Sequence, residues 1–212
     1  MKTDELINAI AADAKAAPAP IGRTVWLAGG IAAALAAAMF FAVLPLRADM
    51  PEVIGEPRFL FKWIFTLSLL ASALIVTVHL ARPQGIPRAL LLLLLVAPTV
   101  LIFGIASELA TLPASQWIPT MVGVNSAGCI VLIPLLSALP LGAIMLALRR
   151  GAPDRPALAG AVAGLAAAGI AATFYAMYCR DDSPLFLGLW YILATALVAI
   201  VGALIGARVL RW

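Results

Sequence analysis

RALLLLLLVAPTVLIFGIASEL, residues 88–109, opens on one arginine, carries one acid next to its last residue and is otherwise uncharged. A helix needs about 20 apolar residues to cross the hydrocarbon core of a bilayer, and this run supplies them. Five more runs of similar length lie at about 24–46, 60–81, 123–148, 157–179 and 185–207. The composition agrees: 64% of the 212 residues are hydrophobic, 11% are charged and the mean hydropathy is +1.09, whereas a soluble domain carries about 25% charged residues. The fold class is therefore all-α, a polytopic membrane protein of six transmembrane helices. Period-2 alternation is absent, which disfavours an outer-membrane barrel. The first run exceeds signal-peptide length and precedes five others, so it reads as a retained span. The chain divides into a polar tail, 1–23, and a transmembrane domain, 24–212.

Orientation follows from the cations. With the N-terminus inside, Lys2, Lys15, Arg23, Arg82, Arg88, Arg149, Arg150, Arg155, Arg208 and Arg211 are cytoplasmic, while Arg47, Arg58, Lys62 and Arg180 are outside. That excess satisfies the positive-inside rule and places both termini in the cytoplasm. Membrane orientation accounts for the net charge of +4, so no nucleic-acid partner is expected.

The absences narrow the function. Transport pathways usually need ionisable groups near the bilayer midplane, where these spans carry Ser68, Ser72 and Ser137; Glu108 falls at the end of the third span. No HExxH, GxSxG or Walker loop occurs, which argues against an enzyme. His79, the one histidine, sits near a helix end beside Arg82. Gly160 with Gly164, and Gly202 with Gly206, have the spacing that lets helix backbones approach closely, within the chain or across a homodimer. Pro134 and Pro140 each remove a backbone donor from the fourth span, predicting a kink.

The tail MKTDELINAIAADAKAAPAP predicts a short amphipathic helix. Thr3 suits the N-cap, and Asp4 and Glu5 favour the positive end of the helix dipole. Leu6, Ile7 and Ile10 share one face, and Pro18 and Pro20 end the helix before the membrane. Two acids in the first turn argue against a lipid-binding helix. A tethered segment of this kind suits recognition in a partner's groove, with Leu6, Ile7 and Ile10 as anchors.

Three strings, MKTDELINAIAADA at the start, ALRRGAP at 147–153 and CRDDSPLF followed by LWY within 179–191, resemble the NrsF-type membrane anti-sigma factors of proteobacteria. The resemblance runs through tail, spans and both cysteines. It implies a protein of the bacterial inner membrane that binds an extracytoplasmic-function sigma factor, with Asp4, Glu5, Leu6, Ile7 and Ile10 in the binding tail, and releases it under metal or oxidative stress. The family's paired cysteines match Cys129 and Cys179. Family members often carry histidine before the second cysteine; Tyr178 stands there instead, which counts against a histidine ligand.

The topology brings both cysteines to the outer side, Cys129 within the fourth span and Cys179 ending the fifth. Adjacent helices can supply the Cα separation below about 7 Å that a disulfide needs, and the periplasm permits the bond. Two thiolates also suit a transient soft cation such as copper(I), with Met121 and Met177 as thioether donors and Asp181 or Asp182 as outer acids. Otherwise no cofactor is expected. Against these readings stand simpler ones: cysteine is a common small core residue, and Arg180, Asp181 and Asp182 form a solvated loop before a helix capped by Ser183 with Pro184 at its first position. The competing function is a small transporter or channel for a metal ion. A thiol oxidoreductase would be expected to carry a CxxC, and none is present.

Overall fold

A computed structural model describes residues 3–5, 7, 20–83 and 86–211. Among the described residues from 20 onward, eight helices follow in order: α1 (Ile21–Val43), α2 (Met50–Val53), α3 (Pro57–Leu80), α4 (Arg88–Thr111), α5 (Ala114–Val122), α6 (Ser126–Leu148), α7 (Pro156–Tyr175) and α8 (Pro184–Val209). Among the described residues there is no strand. Six of these helices, α1, α3, α4, α6, α7 and α8, are long and apolar enough to span a membrane.

Prolines set several of the starts. Pro57, Pro156 and Pro184 each occupy the first turn, where a missing N–H breaks no helical bond and the fixed φ suits the helix. All three of these helices, α3, α7 and α8, therefore begin before their apolar runs do. The fifth span ends at Tyr175 rather than 179, so Cys179 lies beyond the helix. There Tyr178 and Cys179 donate their backbone N–H to the carbonyl of Tyr175, closing the last turn. In α6 neither Pro134 nor Pro140 ends the helix.

The Ala/Gly-rich α7 is the axis of the bundle, packing against α8, α3, α6 and α1. Its side chains are small, so neighbouring backbones come close. A Cβ at Gly164 would lie 2.6 Å from the carbonyl oxygen of Val198, and one at Gly206 the same distance from that of Pro156. At Gly160 and Gly202 each would strike the other's carbonyl. Both glycine pairs are thus spent on the α7–α8 contact within one chain, as their spacing allows. Peripheral α4 is the least buried span and turns Ile102 and Phe103 outward.

The antiparallel order gives the bundle two unlike ends. Arg23, Arg82, Arg88, Arg149, Arg150, Arg155, Arg208 and Arg211 gather at one, where Gly151 packs on Ala81 and Ile21. Both cysteines, and every charged side chain buried among the described residues, lie at the other.

Candidate functional site

At the second end, the segment Cys179–Arg180–Asp181–Asp182–Ser183–Pro184, which leads into α8, is pinned by four different parts of the chain. Lys62, five residues into α3 and fully buried, donates to the carbonyl of Cys179 (2.8 Å) and to Asp182 (2.6 Å). Arg47, just past α1, donates to the same carbonyl (3.2 Å) and to Asp182 (2.8 Å). Its other edge holds Asp49 at 2.8 Å, and the guanidinium lies 5.7 Å from the Phe59 ring centroid. The carboxylate of Asp181 accepts from the backbone N–H of Val124 (3.1 Å) and Asn125 (2.8 Å), immediately before α6. Glu108, at the end of α4, accepts from the Ser183 hydroxyl and the Leu185 N–H, while Arg58 reaches its other oxygen at 2.8 Å.

A buried ammonium is tolerated only when paired and hydrogen-bonded, and here Asp182 and a carbonyl dipole supply both. The pairing also holds the thiol-bearing residue by its backbone. The hydrogen bond from Arg47 depresses the Asp49 carboxyl to about 2, and Arg47 is correspondingly raised. A carboxylate with a lowered folded-state pKa contributes its stability above the unfolded value and loses it as pH falls through the folded one. The Arg47–Asp49 pair therefore persists through mild acid and is lost only near pH 2.

Inside this polar collar sit the thiols. Cys129, in the first turn of α6, and Cys179 are both fully buried, free of any disulfide and packed in one hydrophobic cluster. The Cys179 thiol lies 3.7 Å from the carbonyl oxygen of Asp181. Tyr175 and Tyr191, each fully buried, stand with ring centroids 6.1 Å apart, and Phe186 closes on Tyr191 at 6.5 Å. Leu187–Tyr191 forms a π-helical turn in α8, a distortion that is frequent at functional sites.

The cysteines therefore lie in one buried cluster at one end of the bundle. Ser183 caps α8, its hydroxyl accepting from the Leu185 N–H at 3.1 Å, with Pro184 next. The acids do not form a solvated loop: Asp182 keeps 14% of its side-chain surface, and both acids are engaged. Buried salt bridges overturn that expectation, and only Arg180 of the three is exposed. Met177 packs at the edge of the aromatic cluster, and Met121 lies on α5. Among the described residues no group of three or more His, Cys, Asp or Glu could hold a metal ion, so a cation here would depend on the two thiols.

Lys62, Arg47, Glu108, Tyr175 and Tyr191 escape a reading based on hydropathy. Their signal is a balance: two cations at the start of the second span and the end of the first, against two acids beyond the fifth. At the arginine-rich end His79 uses Nδ1 to bond the Ile75 carbonyl at 2.9 Å, a helix-internal contact. In the tail, Asp4, Glu5 and Ile7 are helical and exposed; Leu6 and Ile10 lie outside the described residues.

Fold and site define a class: a six-span helical membrane protein with a sealed dithiol at one end and an arginine-rich surface at the other. The chain belongs to the NrsF family, described as negative regulator of sigma F, whose pattern it matches over residues 10–212. It is 34% identical to the probable anti-sigma-F factor NrsF of Azospira oryzae and to the anti-sigma-F factor NrsF of Caulobacter vibrioides, in each case along the whole of both chains. No solved structure matches it.

Proposed function

We propose that the chain is an anti-sigma factor that holds an extracytoplasmic-function sigma factor at the bacterial inner membrane and releases it when metal or oxidative stress acts on Cys129 and Cys179. Family membership supports the regulatory role. The observation that carries the sensing role is the burial of the chain's two cysteines, neither in a disulfide, in one cluster at the end opposite the arginine-rich surface. Positive charge favours the cytoplasmic side, so the dithiol faces the periplasm, where an oxidant converts two thiols to a disulfide with loss of two electrons and two protons. A soft cation bridging the two sulfurs would exploit the same proximity.

Reporter domains active only in the cytoplasm are expected to work when fused at residue 212 or near 152 and to fail near 115 or 182. Activity at 115 would overturn the orientation. The sigma-binding reading of the tail is tested by co-purifying the detergent-extracted chain with candidate sigma factors. Leu6→Asp or Ile10→Asp sets an unpaired charge on the anchor face, which costs several kcal/mol once desolvated. These variants are expected to insert normally, to lose the sigma factor and to leave its regulon on without stress. Undiminished binding by well-expressed variants would refute the tail as the grip.

A transporter or channel for a metal ion finds little support. The buried charged side chains among the described residues, Arg47, Lys62 and Glu108, are ion-paired near one end of the bundle. A pathway calls for such groups deep in the bilayer.

A further inference from the structure

Between α4 and α6 the chain passes through α5, ASQWIPTMV, nine residues without a charge. At 100° per residue Ala114, Trp117, Ile118, Met121 and Val122 fall within one arc, and Gln116, Pro119 and Thr120 lie opposite. The helix is amphipathic, yet it buries no residue against the protein. Ile118 is 68% exposed, and Val124, just beyond the helix, 84%.

Its position identifies what covers that face. The helix is bracketed by the ends of two spans, Thr111 of α4 and Ser126 of α6, which sets it at the depth where hydrocarbon meets headgroups. Like α4, which turns Ile102 and Phe103 outward, it leaves large apolar side chains uncovered by the protein. Trp117 donates its indole N–H to the Leu112 carbonyl at 2.9 Å, so the ring has its polar atom satisfied. Tryptophan is enriched at this boundary in membrane proteins. Lacking charge, the helix has no means of selecting anionic headgroups, which lysine-rich interfacial helices do have.

We propose that α5 is an interfacial helix seated in the leaflet at the dithiol end, with Trp117, Ile118 and Val122 in the boundary between headgroups and acyl chains, and that its partner is the lipid surface irrespective of headgroup charge. The seat borders the sensor. Trp190 of α8 donates to the carbonyls of Met121 and Val122, each at 3.1 Å. Gly123 then turns the chain with φ of +58°, where a Cβ would lie 2.5 Å from the Phe186 ring and 2.7 Å from Asp181. Asp181 grips the next two N–H groups, and Cys129 follows within one helical turn. The seating of α5 depends neither on which way the bundle faces nor on the anti-sigma reading.

The test uses the full chain in phosphatidylcholine vesicles, with Cys129→Ser and Cys179→Ser introduced so that a nitroxide attaches only at Ile118→Cys, Val122→Cys or Gln116→Cys. Collision with oxygen, which concentrates in hydrocarbon, is compared with collision with a water-confined nickel chelate. The oxygen-to-nickel ratio at 118 and 122 is expected to exceed that at 116 about fivefold, as for a helix buried a few ångströms below the headgroups. Added anionic lipid should leave it unchanged. Nickel collisions at 118 and 122 equal to those at 116 would put the helix in water and overturn the proposal. Shielding from both reagents would overturn it too, since a second copy of the chain or another protein surface would then cover the face. If labelled variants fail to insert, Trp117 gives the same answer without cysteines: lipids brominated on the acyl chains should quench the fluorescence lost in Trp117→Phe, and absence of quenching refutes the seat.

Discussion

Cys129→Ser and Cys179→Ser are each expected to insert and hold the sigma factor as the parent does, and to abolish its release under stress, with the double variant no worse than either single one. The two thiols already share one buried cluster where α6 packs on α7, so a disulfide or a bridging soft cation would draw together elements that are in contact. Serine nearly preserves the volume and the hydrogen-bonding capacity of each thiol but forms neither link, which separates sensing from packing. A ligand or bond shifts an equilibrium only by its differential stabilisation of two states, and about 1.4 kcal/mol changes release tenfold. Two residues that act only as a pair lose their whole effect when either is removed, hence the equality of single and double variants. The measurement is reporter output from the sigma factor's target promoter, with thiol labelling before and after stress. Normal induction in both serine variants would reduce Cys129 and Cys179 to core packing.

Lys62→Met is expected to destabilise the protein by about 3 kcal/mol or more, because removing one partner of a buried ion pair leaves the other without compensation. The ammonium is fully buried and makes two short bonds, one to Asp182 and one to the backbone of Cys179. Without it, Asp182 keeps Arg47 alone, and the Cys179 carbonyl loses its shorter hydrogen bond. Lys62→Arg is not a safe rescue, since a planar guanidinium does not fit where a compact ammonium reaches an oxygen at 2.6 Å. Arg58→Met should cost much less: that side chain is 54% exposed, and Glu108 retains the Ser183 hydroxyl and the Leu185 N–H. Thermal unfolding in detergent, with the alkylation rate of Cys179 as a local readout, checks both. A Lys62→Met protein as stable as its parent, with its thiols as slow to react, would remove the ion pair from any structural role at the site.

The six spans are legible because hydropathy is a sum along the chain, and a bilayer responds to that sum. The two glycine pairs are legible for a related reason: spacing of four residues puts both members on one helix face. Ser183–Pro184 is legible as a helix start because capping is local chemistry. Even the placing of Cys129 and Cys179 in one cluster follows in outline, since the two crossings between them return the chain to the same end. What the sequence misreads is α5, whose nine residues sit in an interval assigned to a connection, and the acids after Cys179, assigned to solvent. Neither feature is carried by a local sum. Lys62 finds Asp182 across 120 positions and Arg47 finds it across 135, and each of the three looks like an ordinary boundary charge until α1, α3 and α7 pack together. Sequence alone therefore determined the membrane class, the spans and the end at which the thiols lie. Tertiary structure decided that those thiols are sealed beneath a paired charge network, because the desolvation that makes such pairing obligatory exists only once the helices have closed around it.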